Sequence, residues 1–342
     1  MSKINQFVAM IAAHLRFRQI VVIWIIVKVL LIALLLLQGL LLTSCLKENL
    51  SGCPEDIRVY FDITPREGGD AIDPANVDRM NLYVFDHSGY FLNEYADRQI
   101  SNFNPDDYYM DCSDLLPGKY RFIAWGGMDT QFFNTSPVQF ENGKTTFDEA
   151  LLMLGHSGGI VSTRVHHLFH SDLPVTVDNS KTQRFTMPLA QQSNTITVRI
   201  IGLPENVLTY AEITDNNCTY RFDGSFASCA HRNLKSHEDD FKYILPCTAF
   251  GERQLLATIN VMRLAKGRQP QLKIYDETGK THFPANNQSG NLIELICSAI
   301  PDIDFDETHH YDIELRFNEI DLSATILING WEVKDESYQL SE

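Results

Sequence analysis

The chain has 342 residues, 44% of them hydrophobic and 11% aromatic, and a formal net charge of −16. Residues 1–44 contain Lys3, Arg16, Arg18 and Lys28 and no acidic residue, so residues 45–342 carry −20. A surface that acidic repels phosphate backbones, which argues against nucleic acid as a partner, and the length suits one large domain or two of ordinary size.

From Ile20 to Leu42 almost every residue is apolar, and Lys28 is the only charge. Basic residues precede the run, as at the cytoplasmic flank of an exported segment. The run is long enough to span a bilayer, so an uncleaved span is one reading. Lys28 would be costly inside a permanent span; it better closes the basic region of a signal whose apolar stretch is 29–42. The run ends at Leu42-Thr43-Ser44-Cys45, which resembles a bacterial lipobox. Residues 1–44 are therefore expected to be a lipoprotein signal peptide, and Cys45 to become an N-palmitoyl, S-diacylglycerol cysteine. Residues 45–53 would form a lipidated tether, and translation could start at Met1 or Met10. Lys47-Glu48 looks like the short tag that sends some lipoproteins to the outer face of the outer membrane.

Six other cysteines remain: Cys53, Cys112, Cys218, Cys229, Cys247 and Cys297. None forms a Cys-x-x-Cys pair or a His/Cys set at zinc spacing, so neither metal nor cofactor is expected. Disulfides are the default in an exported protein. Cys53 with Cys112 is the preferred N-terminal pair, and the four later cysteines allow three connectivities.

Along the mature chain, apolar residues come in runs of four to eight bounded by Gly, Pro, Asn and Asp, the pattern of a β-rich protein. "IRVYFDI" (57–63) alternates as a half-buried strand. "MNLYVFDHSGYFLNEY" (80–95) predicts two strands joined by a turn at Asp86-His87-Ser88-Gly89. "LLPGKYRFIAWGG" (115–127) predicts a turn and then a strand. Residues 145–155 are the best helix candidate, stopped by Gly155. After a break at 188–194, strands are expected at 195–203, 255–264, 271–279, 309–317 and 323–333. The inferred fold class is all-β, with two sandwich domains in tandem at 54–190 and 191–342.

Several constellations invite chemistry. Gly155-His156-Ser157-Gly158-Gly159 fits the G-x-S-x-G elbow that would make Ser157 a hydrolase nucleophile. An elbow needs a strand before the serine and a helix after it; a helical stretch before and an alternating segment after favour a plain Gly-rich loop. His166 and His170 would share a helix face at i, i+4, a zinc-like geometry. Strand-like alternation there instead predicts surface or edge-strand histidines. Asp302, Asp304 and Asp306 lack the Gly and terminal Glu of a calcium loop. Trp125, Tyr90 and Phe91 are candidates for a glycan-binding face, although strand aromatics are more often core.

Taken together, the lipobox, Cys53-Pro54 before a strand, "LYVFDHSGYF", "LLPGKYRFIAWGG", "LFHSDLPVTV" before "TITVRIIGL", and terminal "ILINGWEV" resemble the FimB/Mfa2 family of Bacteroidetes fimbrial lipoproteins. The resemblance implies two transthyretin-like β-sandwich domains and a non-enzymatic anchor or accessory subunit of a fimbrium on the cell outer membrane. Its partners would be pilin subunits joined by β-strand exchange, the membrane through the lipid, and a host or bacterial surface receptor. A tethered first strand that fills its own groove would end assembly, and residues 334–342 would supply a short donor strand. The other readings are a surface lipoprotein binding glycan on the same scaffold and, more distantly, a serine hydrolase.

Overall fold

The computed structural model describes residues 28, 56–65, 69–203, 207–227, 241–285, 288–318 and 324–333. Cys45, Cys53, Cys229 and the tail 334–342 lie outside these residues, as does the signal segment apart from Lys28. The chain divides into two compact units, Met1–Cys53 and Pro54–Glu342; the fold described here belongs to the second.

The first half of that unit contains β1 (Asp56–Asp62), β2 (Met80–Asp86), β3 (Phe91–Asp97), β4 (Tyr109–Asp111), β5 (Gly118–Gly126), β6 (Phe133–Ser136), β7 (Leu151–Leu154), β8 (Ile160–Val161), β9 (Phe169–Val177), β10 (Thr182–Pro188) and β11 (Ala190–Gln191). The second half contains β12 (Ser193–Ile201), β13 (Thr209–Asp215), β14 (Thr219–Arg221), β15 (Phe241–Pro246), β16 (Thr248–Gly251), β17 (Gln254–Met262), β18 (Gln271–Asp276) and β19 (Thr281–Phe283). A short helix α1 (Leu292–Ala299) follows, then β20 (His310–Phe317), β21 (Ala324–Ile328) and β22 (Trp331–Glu332).

Two sandwiches result. In the first, the sheet β10-β1-β4 packs on β11-β9-β5-β2-β3. Ile57, Val59 and Phe61 meet Leu82, Val84, Phe122 and Val175 in a shared core. In the second, β16-β17-β12-β20-β21-β22 packs on β19-β18-β13-β15-β8, with Ile196, Val198, Ile213, Phe241 and Ile274 inside. The expected boundary near residue 190 falls in β11, and short strands cross it in both directions. β8 runs parallel to β15, while β14 pairs with β7.

That crossing explains the burial of β2. Its first six residues are all buried, because the small sheet β14-β7-β6 covers the face that the first core leaves open. A strand buried on both sides reads as a continuous apolar run, not an alternating one. On the covered face, Tyr83 meets Phe222 edge-on at 5.0 Å and Trp125 lies 6.0 Å from Tyr220. Trp125 is fully buried and Phe91 nearly so, so both are core residues; of the three candidate glycan aromatics only Tyr90 is exposed, at 42%.

The β2–β3 hairpin closes as its turn residues predict. Gly89 takes φ +82°, and Asp86 Oδ1 accepts hydrogen bonds from the Ser88 and Tyr90 N–H groups at 2.8 and 2.9 Å. Asn329 and Gly330, both at positive φ, make the tight turn between β21 and β22, as Asn-Gly pairs do in two-residue hairpins.

The helix expected at 145–155 does not form. Thr146 and Glu149 make a capping box, but it supports only one 3-10 turn, Phe147–Glu149. "LLML" then becomes β7, with Leu152 and Leu154 buried and Leu151 and Met153 half-buried. A four-residue apolar run fits helix or strand equally, and pairing with β6 and β14 on its two edges decides it. The true helix, α1, starts on Asn291, whose side chain accepts from the Ile293 and Glu294 N–H groups. Asn three residues before Glu294, ahead of an apolar run, was the legible signal. Among the described residues, no helix is long and apolar enough to cross a membrane.

Candidate functional site

The site is the first strand and the groove that holds it. β1 alternates strictly: Ile57, Val59 and Phe61 are fully buried, while Arg58, Tyr60 and Asp62 face outward. Burying three such side chains is worth about 1.5–3 kcal/mol each, on the scale of a domain's whole net stability.

Both edges of β1 are bonded. It runs parallel to β10 over its full length, from Asp56↔Thr182 to Asp62↔Pro188, and antiparallel to β4 at Arg58–Tyr60. The Asp56 N–H donates to Lys181 O at 2.9 Å and the Leu189 N–H to Asp62 O at 2.7 Å, closing the two ends of the parallel ladder. Past the end of β4, the Cys112 N–H donates to Ile57 O at 2.8 Å. The Ile57 N–H donates to Ser113 Oγ at 3.1 Å, and Ser113 Oγ in turn donates to Asp111. That hydroxyl bond holds the Asp111 carboxyl below its usual range, so a charged group anchors the entry to β1.

The outer face carries a second layer of contacts. The Arg58 guanidinium sits 4.6 Å from the Tyr109 ring centre and that of Arg184 5.8 Å from Tyr60, while Tyr60 and Tyr109 are 5.6 Å apart. Partly exposed cation–π contacts contribute on the order of 0.5–1 kcal/mol each. The sequence reading identified β1 but not its long partner β10, where only Met187 is buried and Pro188 ends the run. Phe185 and Met187, two residues apart, were the available signal.

Cys112 lies fully buried beneath this strand, and among the described residues it has no disulfide partner. Burial pushes it up to about 12, which makes it unreactive; Cys53, its expected partner, lies outside the described residues. Among the described residues, Cys218, Cys247 and Cys297 form no disulfide with one another.

The other candidates are not brought together as a catalytic or metal centre. Ser157 lies in a tight loop, exchanging backbone hydrogen bonds with Ile160 at 3.1 and 3.2 Å. A strand, β7, precedes it where a helical stretch was expected, and β8 follows instead of a helix. His156 Nδ1 accepts from the Gly159 N–H at 3.1 Å, so its ring serves the turn. His166 and His170 do not share a strand face. His166 is in a loop 3.4 Å from Asp78. His170, in β9, is buried, with its ring 4.5 Å from Trp125 and Nε2 2.9 Å from Phe222 O. Asp306 accepts from Arg263 at 2.7 Å, and Asp304 accepts from the Asp306 N–H. Among the described residues, no group of three or more His, Cys, Asp or Glu could hold a metal ion.

Buried histidines give the junction a pH dependence. His167, His170 and His309 are buried, and burial pushes each down to about 4. In the unfolded chain they titrate near the ordinary 6.5, so between pH 6.5 and 4 the unfolded state binds more protons and stability falls as pH falls. Each group's contribution is on the order of 3 kcal/mol. Urea denaturation at pH 7.0 and 4.5 should show a lower midpoint in acid; equal midpoints would contradict the buried neutral state.

The family model for "Fimbrillin-A associated anchor proteins Mfa1 and Mfa2" matches residues 50–337. The minor fimbrium anchoring subunit Mfa2 of Porphyromonas gingivalis is 25% identical over 326 residues, covering 87% of this chain and 92% of that protein. The solved fimbrial anchor protein Mfa2 from Porphyromonas gingivalis superposes with a TM-score of 0.62 at 23% identity, covering 83% of this chain and 100% of that one. A candidate polysaccharide-binding protein (DUF1812) from Bacteroides thetaiotaomicron superposes at 0.65 and 23% identity, covering 82% and 98%. The structural likenesses show the shared β-sandwich fold.

Proposed function

Because the chain belongs to the family of fimbrillin-A associated anchor proteins, we propose that it anchors a surface fimbrium to the outer membrane. On this reading it has no enzymatic role. Residues 1–44 export it, Cys45 carries the lipid, and residues 54–190 and 191–342 are its two sandwich domains. Pilin subunits are its partners, joined by strand exchange in which main-chain hydrogen bonds supply affinity.

The observation that carries the reading is the occupied groove. β1 starts eleven residues after Cys45 and is bonded along both edges. A subunit whose own tethered strand fills its groove has no vacancy there for another subunit's strand, and so ends the polymer. Residues 334–342 follow β22 after Val333; nine extended residues would span roughly 30 Å, enough for one donor strand. On this reading the next subunit attaches through the tail.

Deleting residues 334–342 tests the attachment. Protein solubilised from the outer membrane should co-purify with a pilin when intact and lose it when truncated, with fimbrial shafts passing into the medium. Shafts that remain on cells carrying the truncated protein would overturn the donor-strand role.

A further inference from the structure

A cleft of about 670 Å³ lies between the β2–β3 turn, the start of β5, residues 146–148 and the end of β9, and its volume lies within the range of ligand sites. One wall is the β2–β3 turn. The Asp86 N–H donates to Tyr90 O, and the Phe147 N–H donates to Gly89 O, both at 2.8 Å. These bonds lock the turn against residues 146–148 and hold the half-exposed Tyr90 ring at the rim.

The floor is pre-organised. The Arg121 guanidinium forks onto Asp172, with Nε 2.8 Å from Oδ1, and lies 3.6 Å over the Phe147 ring. Phe147 is itself fixed edge-on against buried Phe85 at 5.5 Å. One edge and one face of the guanidinium are thus committed, and the remaining N–H groups are left as donors in a fixed plane. Lys119, Asp86 and Asp148 add charged groups to the lining; Asp86 Oδ1 ties the turn, and among the described residues Oδ2 has no hydrogen-bond partner.

The charge balance narrows the ligand. Of the charged lining groups, Lys119 and Arg121 balance Asp86 and Asp148, while Asp172, outside the lining, is already paired with Arg121. Two carboxylates balance two cations along the lining, so neither an anion nor a cation is favoured over a neutral ligand. What fits is a neutral molecule with an apolar face for Tyr90 and a rim of groups that both donate and accept hydrogen bonds. We propose that this cleft binds a neutral oligosaccharide, one sugar ring stacked on Tyr90 and its hydroxyls bonded to Arg121, Asp86 and Asp148. This would be an adhesive function separate from anchoring and independent of Cys45 and the tail.

The test uses the detergent-solubilised full chain on an array of neutral and acidic oligosaccharides, followed by titration of the strongest neutral ligand. Wild type should retain neutral glycans in preference to acidic ones. Tyr90→Ala and Asp148→Asn should each weaken binding at least tenfold. Both side chains are at the surface, so the urea midpoint should not move, and lost binding would not reflect lost folding. Absence of binding to every neutral glycan, preference for acidic glycans, or undiminished binding by Tyr90→Ala would each overturn the assignment.

Discussion

Replacing Phe61 with alanine is expected to cost the protein about 3–5 kcal/mol, the range for truncating a fully buried aromatic. Phe61 has no exposed surface, and its ring packs 5.9 Å from Tyr108. The cavity left behind should not collapse easily, because backbone hydrogen bonds on both edges hold β1 in register. A loss of that size approaches the net stability of many domains, so the first sandwich should open at far lower urea concentration. It should also become cleavable by protease within residues 56–62. The control is Tyr60→Ala on the outward face of the same strand, which removes only partly exposed ring contacts and should cost about 1 kcal/mol. Equal losses for the two variants would mean that β1 does not fill its groove as described.

Features set by short-range chemistry were the legible ones. Asp86 to Gly89 and Asn329-Gly330 are turns because of what Gly, Asn and Asp do to φ and to nearby N–H groups, and the strands flanking them fall where expected. "IRVYFDI" was legible because one of its faces meets the core and the other meets solvent. Legibility fails where tertiary contacts choose between local options. "LLML" is a strand only because residues 133–136 and 219–221, the latter from the other half of the chain, flank it. The alternation read through residues 160–170 breaks after Val161, when the segment leaves the second sandwich for the first; that break separates His166 from His170. Trp125 looked available for a ligand because its covering layer, Tyr220 and Phe222, comes from about a hundred residues downstream. The cleft at Tyr90 was only one-third visible for the same reason: Tyr90 was singled out, but Arg121 and Phe147 reach it from separate segments.

The largest functional effect is expected from a single atom. Cys45→Ala removes the thiol that would carry diacylglycerol. Each buried methylene contributes about 0.8 kcal/mol, a single acyl chain holds a protein only marginally, and stable anchoring takes at least two. Without acylation, the acidic mature chain has no comparable attraction to an anionic membrane surface. Labelling with a palmitate analogue should mark wild type and leave Cys45→Ala unmarked. The decisive measurement is where the fimbriae are: the fraction sedimenting with cells against the fraction in the medium, in wild type and Cys45→Ala at matched expression. The anchor function predicts cell-bound fimbriae in wild type and fimbriae shed to the medium with Cys45→Ala. Fimbriae equally cell-bound in both would contradict it.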